Sequence, residues 1–366
     1  QYTTGPVRGF AITLAVGVVA SVFVNIVVVP YVLGLLTDKN QRTYMWSGWE
    51  VRGLRLVERA RPFVFTTGAL AVAAIIYVSI TGLSLSTDFT GGSNAILDVP
   101  TSVTTSQVRA AIDDLGIPGV TGEGATVVES NEGGTALTRQ VSVRVGLGDS
   151  AQEATDEFAS DLAAAVGGTK LSSDFVGPSV GADLRRGAIL AVVVALLLVL
   201  VYLAFRFWPN WVVALAVVLA SAHDVAITLG VQALLGIEFS IPVLAALLFV
   251  IGYSLNDSII IADRIRENVR VTRDKPYREL VNLAVNQTLT RTVATSGTTL
   301  LPVLALLVFG GSVLRGFSVT LLVGIVIGTF SSIFLLAPTI VWVREWQQKR
   351  IENNRGTSRG KRTAKA

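Results

Sequence analysis

The sequence has no cysteine, one histidine and one methionine, so disulfide frameworks, thiol chemistry and Cys- or His-rich zinc sites are excluded. Charge is scarce too: 15% of the 366 residues are Asp, Glu, Lys or Arg, against about 25% in a soluble domain. No G-x-x-x-x-G-K-[ST] phosphate loop occurs. What the chain does have is apolar residues, 51% of the total with a mean hydropathy of +0.60, and they are clumped. Nearly charge-free stretches recur at about 20 residues, the length a helix needs to cross a bilayer. The chain reads as a polytopic membrane protein.

Seven spans are expected near residues 9–36, 62–82, 187–205, 211–236, 239–262, 292–311 and 317–343. The first apolar run is too long for a secretory signal core, so a retained helix is expected there. Basic residues are unevenly shared between the spans. Segments 37–61, 206–210, 264–291 and 344–366 carry 22 of the 30 Lys and Arg. The positive-inside tendency makes those segments cytoplasmic. The 83–186 loop holds 14 Asp and Glu against six basic residues, so it reads as an acidic extracytoplasmic domain. The N-terminus is then outside and the C-terminus inside. The net charge of +4 hides two opposite regions and favours adhesion to a membrane surface over nucleic-acid binding. The 350–366 tail reads as disordered chain that touches anionic lipid or a ribosome, or as a solvated, topology-setting end.

Within the loop, 94–99 is a short apolar strand ended by Pro100, and 105–115 is a helix between hydroxyl caps and Gly116. Strands at 125–130 and 136–145 flank an NEGG turn at 131–134. A helix at 150–166 opens with Ser150 and has Glu153 three residues on; a strand at 170–176 closes the set. This order is the split βαβ unit of ferredoxin-like folds. Asp113 and Asp114 diverge on a helix and suit neither a metal nor acid–base work, so a binding or mechanical module is expected. Just before it, Asp88-Phe89-Thr90-Gly91-Gly92 carries paired glycines that admit positive φ, as a hinge between membrane and domain would need.

Residues 9–21 (GFAITLAVGVVAS) and 316–328 (GFSVTLLVGIVIG) align without gaps and share seven of 13 residues. Transporters are often built from repeated halves, so the first span is expected to close a preceding half. Three ionisable sites lie inside spans, where such groups are functional candidates by default. They are Asp224 beside His223, Asp257 in GYSLNDSIII, and Arg291 in NQTLTRTVATSGTT. Asp257 and Arg291 sit roughly 9 Å and 15 Å to the cytoplasmic side of their span centres, which the long Arg stem can bridge. A carboxylate that exchanges an arginine for a proton as helices shift is a relay; a static pair gluing helices fits the same spacing. Asp224 is a further relay candidate, with a packed polar pair as the alternative. His223 lies about 100° round the helix from it and is not automatically its partner.

DFTGG (88–92), GYSLNDSIIIADRIRE (252–267), NQTLTRT (286–292) and the plan of six spans with one outer domain resemble the SecF half of the SecDF protein-export membrane proteins, over residues 50–345. On that resemblance 1–36 is the last helix of a SecD half, 37–61 a cytoplasmic linker, and 62–82 the first SecF-like span. Residues 83–186 are the extracytoplasmic domain, 187–343 a five-helix bundle and 344–366 a basic tail. The fold class expected is a polytopic α-helical membrane protein of seven helices, an RND-like half, with one small α+β ferredoxin-like extracytoplasmic domain. The resemblance implies a multi-pass protein of the cell membrane that is not an enzyme and assists export by proton flow. It implies as partners a SecD half or subunit, the SecYEG channel, unfolded preprotein and the bilayer, with no cofactor, metal or nucleic acid. The family's membrane acid falls on Asp257, its membrane arginine on Arg291, and its DFTGG motif on Asp88, Phe89, Thr90, Gly91 and Gly92. Its other relay Asp, in the SecD half, has no counterpart here. An RND-type exporter of small molecules or lipids and a purely structural translocon subunit are the alternative functions.

Overall fold

The computed structural model describes residues 6–36, 53–118, 120–130, 138–146, 152–272 and 274–363. The first span is α1 (Pro6–Phe23), a π-helical segment (Val24–Val28) and α2 (Val29–Leu36); α3 (Leu56–Thr81) follows. One turn, α4 (Thr87–Thr90), leads into β1 (Gly92–Pro100), α5 (Thr105–Asp114), β2 (Thr126–Ser130), β3 (Thr138–Val145), α6 (Gln152–Ala165) and β4 (Thr169–Val176). The chain then forms α7 (Pro178–Arg206), α8 (Trp211–Leu234), α9 (Ile241–Val271), α10 (Tyr277–Phe309), α11 (Gly311–Ser331), a second π segment (Ser332–Leu336) and α12 (Ala337–Thr363). Among the described residues, seven helices are long and apolar enough to cross a membrane. Most of the 37–61 linker and the NEGG turn lie outside the described residues.

The sheet runs β2-β3-β1-β4, with every neighbouring pair antiparallel, the ferredoxin-like arrangement expected from the element order. On β1, Ser93, Ala95, Leu97 and Val99 alternate inward, as the two-residue pleat requires. They close with Val108 and Ile112 of α5 and Phe158 and Leu162 of α6 into a core separate from the membrane helices. Thr104 and Gln107 form a capping box that starts α5.

The membrane helices depart from the hydropathy reading at their ends. α9 continues past 262 to Val271, and the polar stretch 278–289, before the expected span, is the first part of α10. The cause is specific packing. Asn282 Oδ1 accepts from Val57 N at 3.0 Å, Asn286 Nδ2 donates to Leu54 O at 2.9 Å, and Asn268 Nδ2 donates to Gln287 Oε1 at 3.0 Å. Hydropathy scores these amides as solvent-seeking, whereas here they fasten α9 and α10 to one another and to the start of α3. α12 also stays helical to Thr363, through most of the stretch expected to be disordered.

The alignment of Gly9 with Gly316 is mirrored in the backbone. The same offset carries Val24–Val28 to within one residue of Ser332–Leu336, so both related spans are interrupted by a π segment at matching positions. The interior of the bundle is made by α8, α9, α10 and α11, and small residues let them approach. A Cβ on Gly324 would collide with the Val250 side chain, whereas one on Gly297 meets nothing within 4 Å. Gly324→Leu should therefore lower the melting temperature of the solubilised chain by several degrees, corresponding to roughly 1–3 kcal/mol of overpacking. Gly297→Leu is the matched control. Equal shifts at the two positions would refute the close approach of α11 and α9.

Candidate functional site

On α9, Val250, Ser254, Asp257, Ser258, Ile261 and Ile265 share one side of the helix and are all buried. Asp257 keeps 1% exposure, and its Oδ2 is buried with no hydrogen-bond partner. The same is true of Ser258 Oγ and, on α10, Thr292 Oγ1. Arg291, one residue before Thr292, is exposed. Among the described residues it forms no ion pair with Asp257 within 4 Å. The structure thus brings the two residues to neighbouring helices without joining them.

Asp224 is held differently. It has no exposed surface, and its Oδ2 accepts from Ser254 Oγ at 2.6 Å and Ser331 Oγ at 2.7 Å. Its Oδ1 lies 3.0 Å from His223 Nδ1, so adjacency in sequence does yield a partner once the side chains fold back. Three helices, α8, α9 and α11, are therefore tied through one carboxylate. Ser254 and Ser331 are site residues that sequence reasoning missed. The available signal for Ser254 was its three-residue spacing from Asp257, which puts both on one face of α9.

Polar atoms extend along the bundle in both directions from Asp224. Towards the ferredoxin-like domain Gln232 donates to Thr320, and towards the opposite end lie Asp257, Ser258 and Thr292. Beside α9, Tyr253 OH donates to Ser296 Oγ at 3.1 Å, and Ser296 and Thr329 share a hydrogen bond of 2.7 Å. His223 Nε2, Gln232 Oε1 and Ser318 Oγ are further buried atoms with no partner. Buried polar groups are normally satisfied, so such a run inside a membrane span calls for a functional account.

The DFTGG motif forms the junction with the ferredoxin-like domain. Gly91 and Gly92 have φ of +75° and +119°, the turn that glycine permits. Asp88 Oδ2 accepts from Ser86 Oγ at 3.0 Å and from Ile241 N at 3.1 Å, so it caps the first turn of α9. Phe89 is buried against Phe239, Ile241, Leu244 and Ala188, and its ring centroid lies 5.4 Å from that of Phe239. Ser86 N donates to Phe239 O at 3.0 Å, and Phe239 N donates to Ser84 O at 2.7 Å. Thr90 Oγ1 turns back to Ser86 O at 3.1 Å. From β3, Arg144 forms an ion pair with Glu238 and donates to Leu85 O at 3.2 Å. Burial pushes the Arg144 guanidinium below its usual range, and the Asp88 carboxylate pulls the other way. The motif is one helical turn followed by two positive-φ glycines, and it is clamped onto the head of α9. Among the described residues no cluster of three or more His, Cys, Asp or Glu is arranged to hold a metal.

Residues 159–346 match the family described as protein export membrane protein SecD/SecF, C-terminal. The chain is 46% identical over 353 residues to the protein translocase subunit SecDF of Thermus thermophilus, covering 96% of this chain and 46% of that protein. It is 41% identical over 280 residues to the protein translocase subunit SecF of Escherichia coli O157:H7, covering 74% of this chain and 81% of that protein. Against the crystal structure of Thermus SecDF, a translocon-associated membrane protein, the TM-score is 0.84 at 44% identity, over 94% of this chain and 46% of that one. A SecDF crystal structure in a super-membrane-facing form matches at 0.70, also at 44% identity, over 98% of this chain and 47% of that one. The chain spans about half the length of these SecDF relatives. Matched by the family over residues 159–346, and by sequence and fold over nearly its whole length, the chain belongs to the SecD/SecF family of protein-export membrane proteins.

Proposed function

We propose that this chain is the SecF half of an accessory subunit of the Sec translocase, which couples proton flow across the cell membrane to preprotein export. It works with a SecD half beside the SecYEG channel, on unfolded preprotein, and hydrolyses no nucleotide. The ferredoxin-like domain is extracytoplasmic and the C-terminus cytoplasmic. The preceding half packs on the first span, whose Thr13, Gly17, Ser21 and Asn25 line an open face.

The observation that carries this reading is the buried, unpartnered Oδ2 of Asp257 on α9, with Arg291 on α10, the helix packed against it. A carboxylate with a guanidinium within about 4–6 Å stays ionised, whereas one left alone in apolar surroundings takes up a proton. Movement of α10 against α9 would bring Arg291 in and out, and so load and release a proton at Asp257. His223 Nε2, Gln232 Oε1 and Ser318 Oγ are the groups that water along a proton path would bind. Asp224 serves as a fixed carboxylate on that path. Asp88 then links chemistry to motion, because it caps the helix that carries Asp257 about 24 Å farther along.

A purely structural subunit is the second reading, favoured by the satisfied network around Asp224. An ionophore separates the two. Collapsing the proton gradient across export-competent vesicles should reduce stimulation of export several-fold, to the level of vesicles without the protein. Undiminished stimulation would leave the structural reading.

A further inference from the structure

The end of the bundle remote from the ferredoxin-like domain is rich in arginine, and three of the carboxylates there are paired with arginines outside the pocket described next. Arg206 pairs with Asp263 at 2.6 Å, Arg264 with Glu267 at 2.6 Å and Arg278 with Glu345 at 2.9 Å. Three others, Arg266, Arg270 and Arg344, line one pocket of about 170 Å³ with Asn210 and Tyr277. Among the described residues none of the three has a carboxylate within 4 Å. Arg266 donates to Arg206 O at 3.3 Å, and Arg344 lies over the Tyr277 ring, 3.9 Å from its centroid. Both contacts orient a guanidinium and leave its charge uncompensated.

Next to this pocket, on an adjacent face of the same ends of α8 and α12, runs an apolar groove of about 640 Å³. Trp211, Leu215, Leu219, Val343 and Trp346 line it, and Arg350 sits at its rim, 5.1 Å above the Trp346 ring. Tryptophans of this kind mark the headgroup level of a bilayer. An apolar groove rimmed by tryptophans beside a basic pocket fits a molecule with an acyl chain and a phosphate. Basic pockets between transmembrane helices are known to select anionic headgroups.

We propose that Arg266, Arg270 and Arg344 bind the phosphate of an anionic phospholipid in the leaflet remote from the ferredoxin-like domain, with one acyl chain in the α8–α12 groove. A free phosphate would satisfy the arginines but leave the groove without a role; the shape commits the site to lipid. Bound there, the lipid bridges α8, α9, α10 and α12 at the end where α9 and α10 would slide.

Native mass spectrometry of the full chain, released from micelles with equimolar phosphatidylglycerol and phosphatidylcholine, tests this. Wild type should retain phosphatidylglycerol about tenfold over phosphatidylcholine, and replacing any one of the three arginines by Gln should lower that preference about twofold. The Arg266→Gln/Arg270→Gln/Arg344→Gln variant should retain the two lipids equally. Leu215→Trp, at a half-exposed groove position, should reduce retention of both. Inorganic phosphate in millimolar excess should not displace the lipid. Equal retention by wild type, an intact preference in the triple variant, or displacement by inorganic phosphate would each overturn the proposal. Because a triple variant can misfold, quenching by chain-brominated phosphatidylglycerol is also measured on a chain with wild-type arginines that keeps Trp211 and Trp346 and carries Phe at the other four tryptophans. Quenching no stronger than by brominated phosphatidylcholine would likewise overturn it.

Discussion

Asp257→Asn removes the gradient-dependent part of export stimulation while the protein still inserts, assembles and melts as wild type does. The asparagine fills the same space and can no longer alternate between charged and neutral forms. Because Asp257 Oδ2 has no partner to lose, the substitution orphans no donor. Replacing an unpaired buried carboxylate by a neutral group is expected to leave stability level or raise it slightly. The effect on export should be complete, a fall to the level of vesicles without the protein, because no neighbouring carboxylate can substitute. Asp224 is occupied by two serine hydroxyls and His223.

Asp224→Leu supplies the contrast that makes the first result interpretable. It leaves Ser254 and Ser331 without their acceptor and should lower stability by about 0.6 kcal/mol per lost bond, the average for such bonds within membranes. Thus Asp257→Asn should report in coupling alone, whereas Asp224→Leu, on the same path, should lower the melting temperature as well. A reversed pattern, with Asp257→Asn fully active and Asp224→Leu stable but uncoupled, would move the exchange site to Asp224. Full activity in both would leave a scaffold.

Asp257 was legible in the sequence because a carboxylate inside an apolar run is conspicuous. The serines that hold Asp224 were not, since a serine in a membrane helix carries little signal and Ser331 lies 107 residues away along the chain. The sheet order followed from the succession of elements, because a split βαβ unit has few ways to close. The continuity of α10 did not follow, since its polar first half is fastened by amides to α9 and to the start of α3, the latter far off in sequence. The two π segments left no readable mark beyond the alignment of the helices that contain them. Nor did the partnership of Arg144 with Glu238, because each is an ordinary surface charge until β3 is set down on the loop before α9.

That last contact yields the second large effect. Along β3, Val141, Val143 and Val145 face the helices, so Arg144 faces the opposite side of the sheet, towards Leu85 and Glu238. Arg144→Glu would set a negative charge against both Glu238 and Asp88 in a largely desolvated corner. Close charge pairs of this kind couple by about 1.5–7 kcal/mol; with both side chains part-exposed, the low end applies. Limited proteolysis around residues 83–92 should accelerate at least tenfold, and proton-dependent export should fall with it, while the melting of the bundle stays unchanged. Adding Glu238→Arg should restore the ion pair and most of the protection, but not all, because the bond from Arg144 to Leu85 O is not rebuilt. Asp88→Ala should act more locally, removing one helix cap worth about 1 kcal/mol. If the Arg144→Glu chain resists protease as wild type does and exports normally, the ferredoxin-like domain is not driven through the head of α9. The link from Asp257 to the domain would then have to run by another helix.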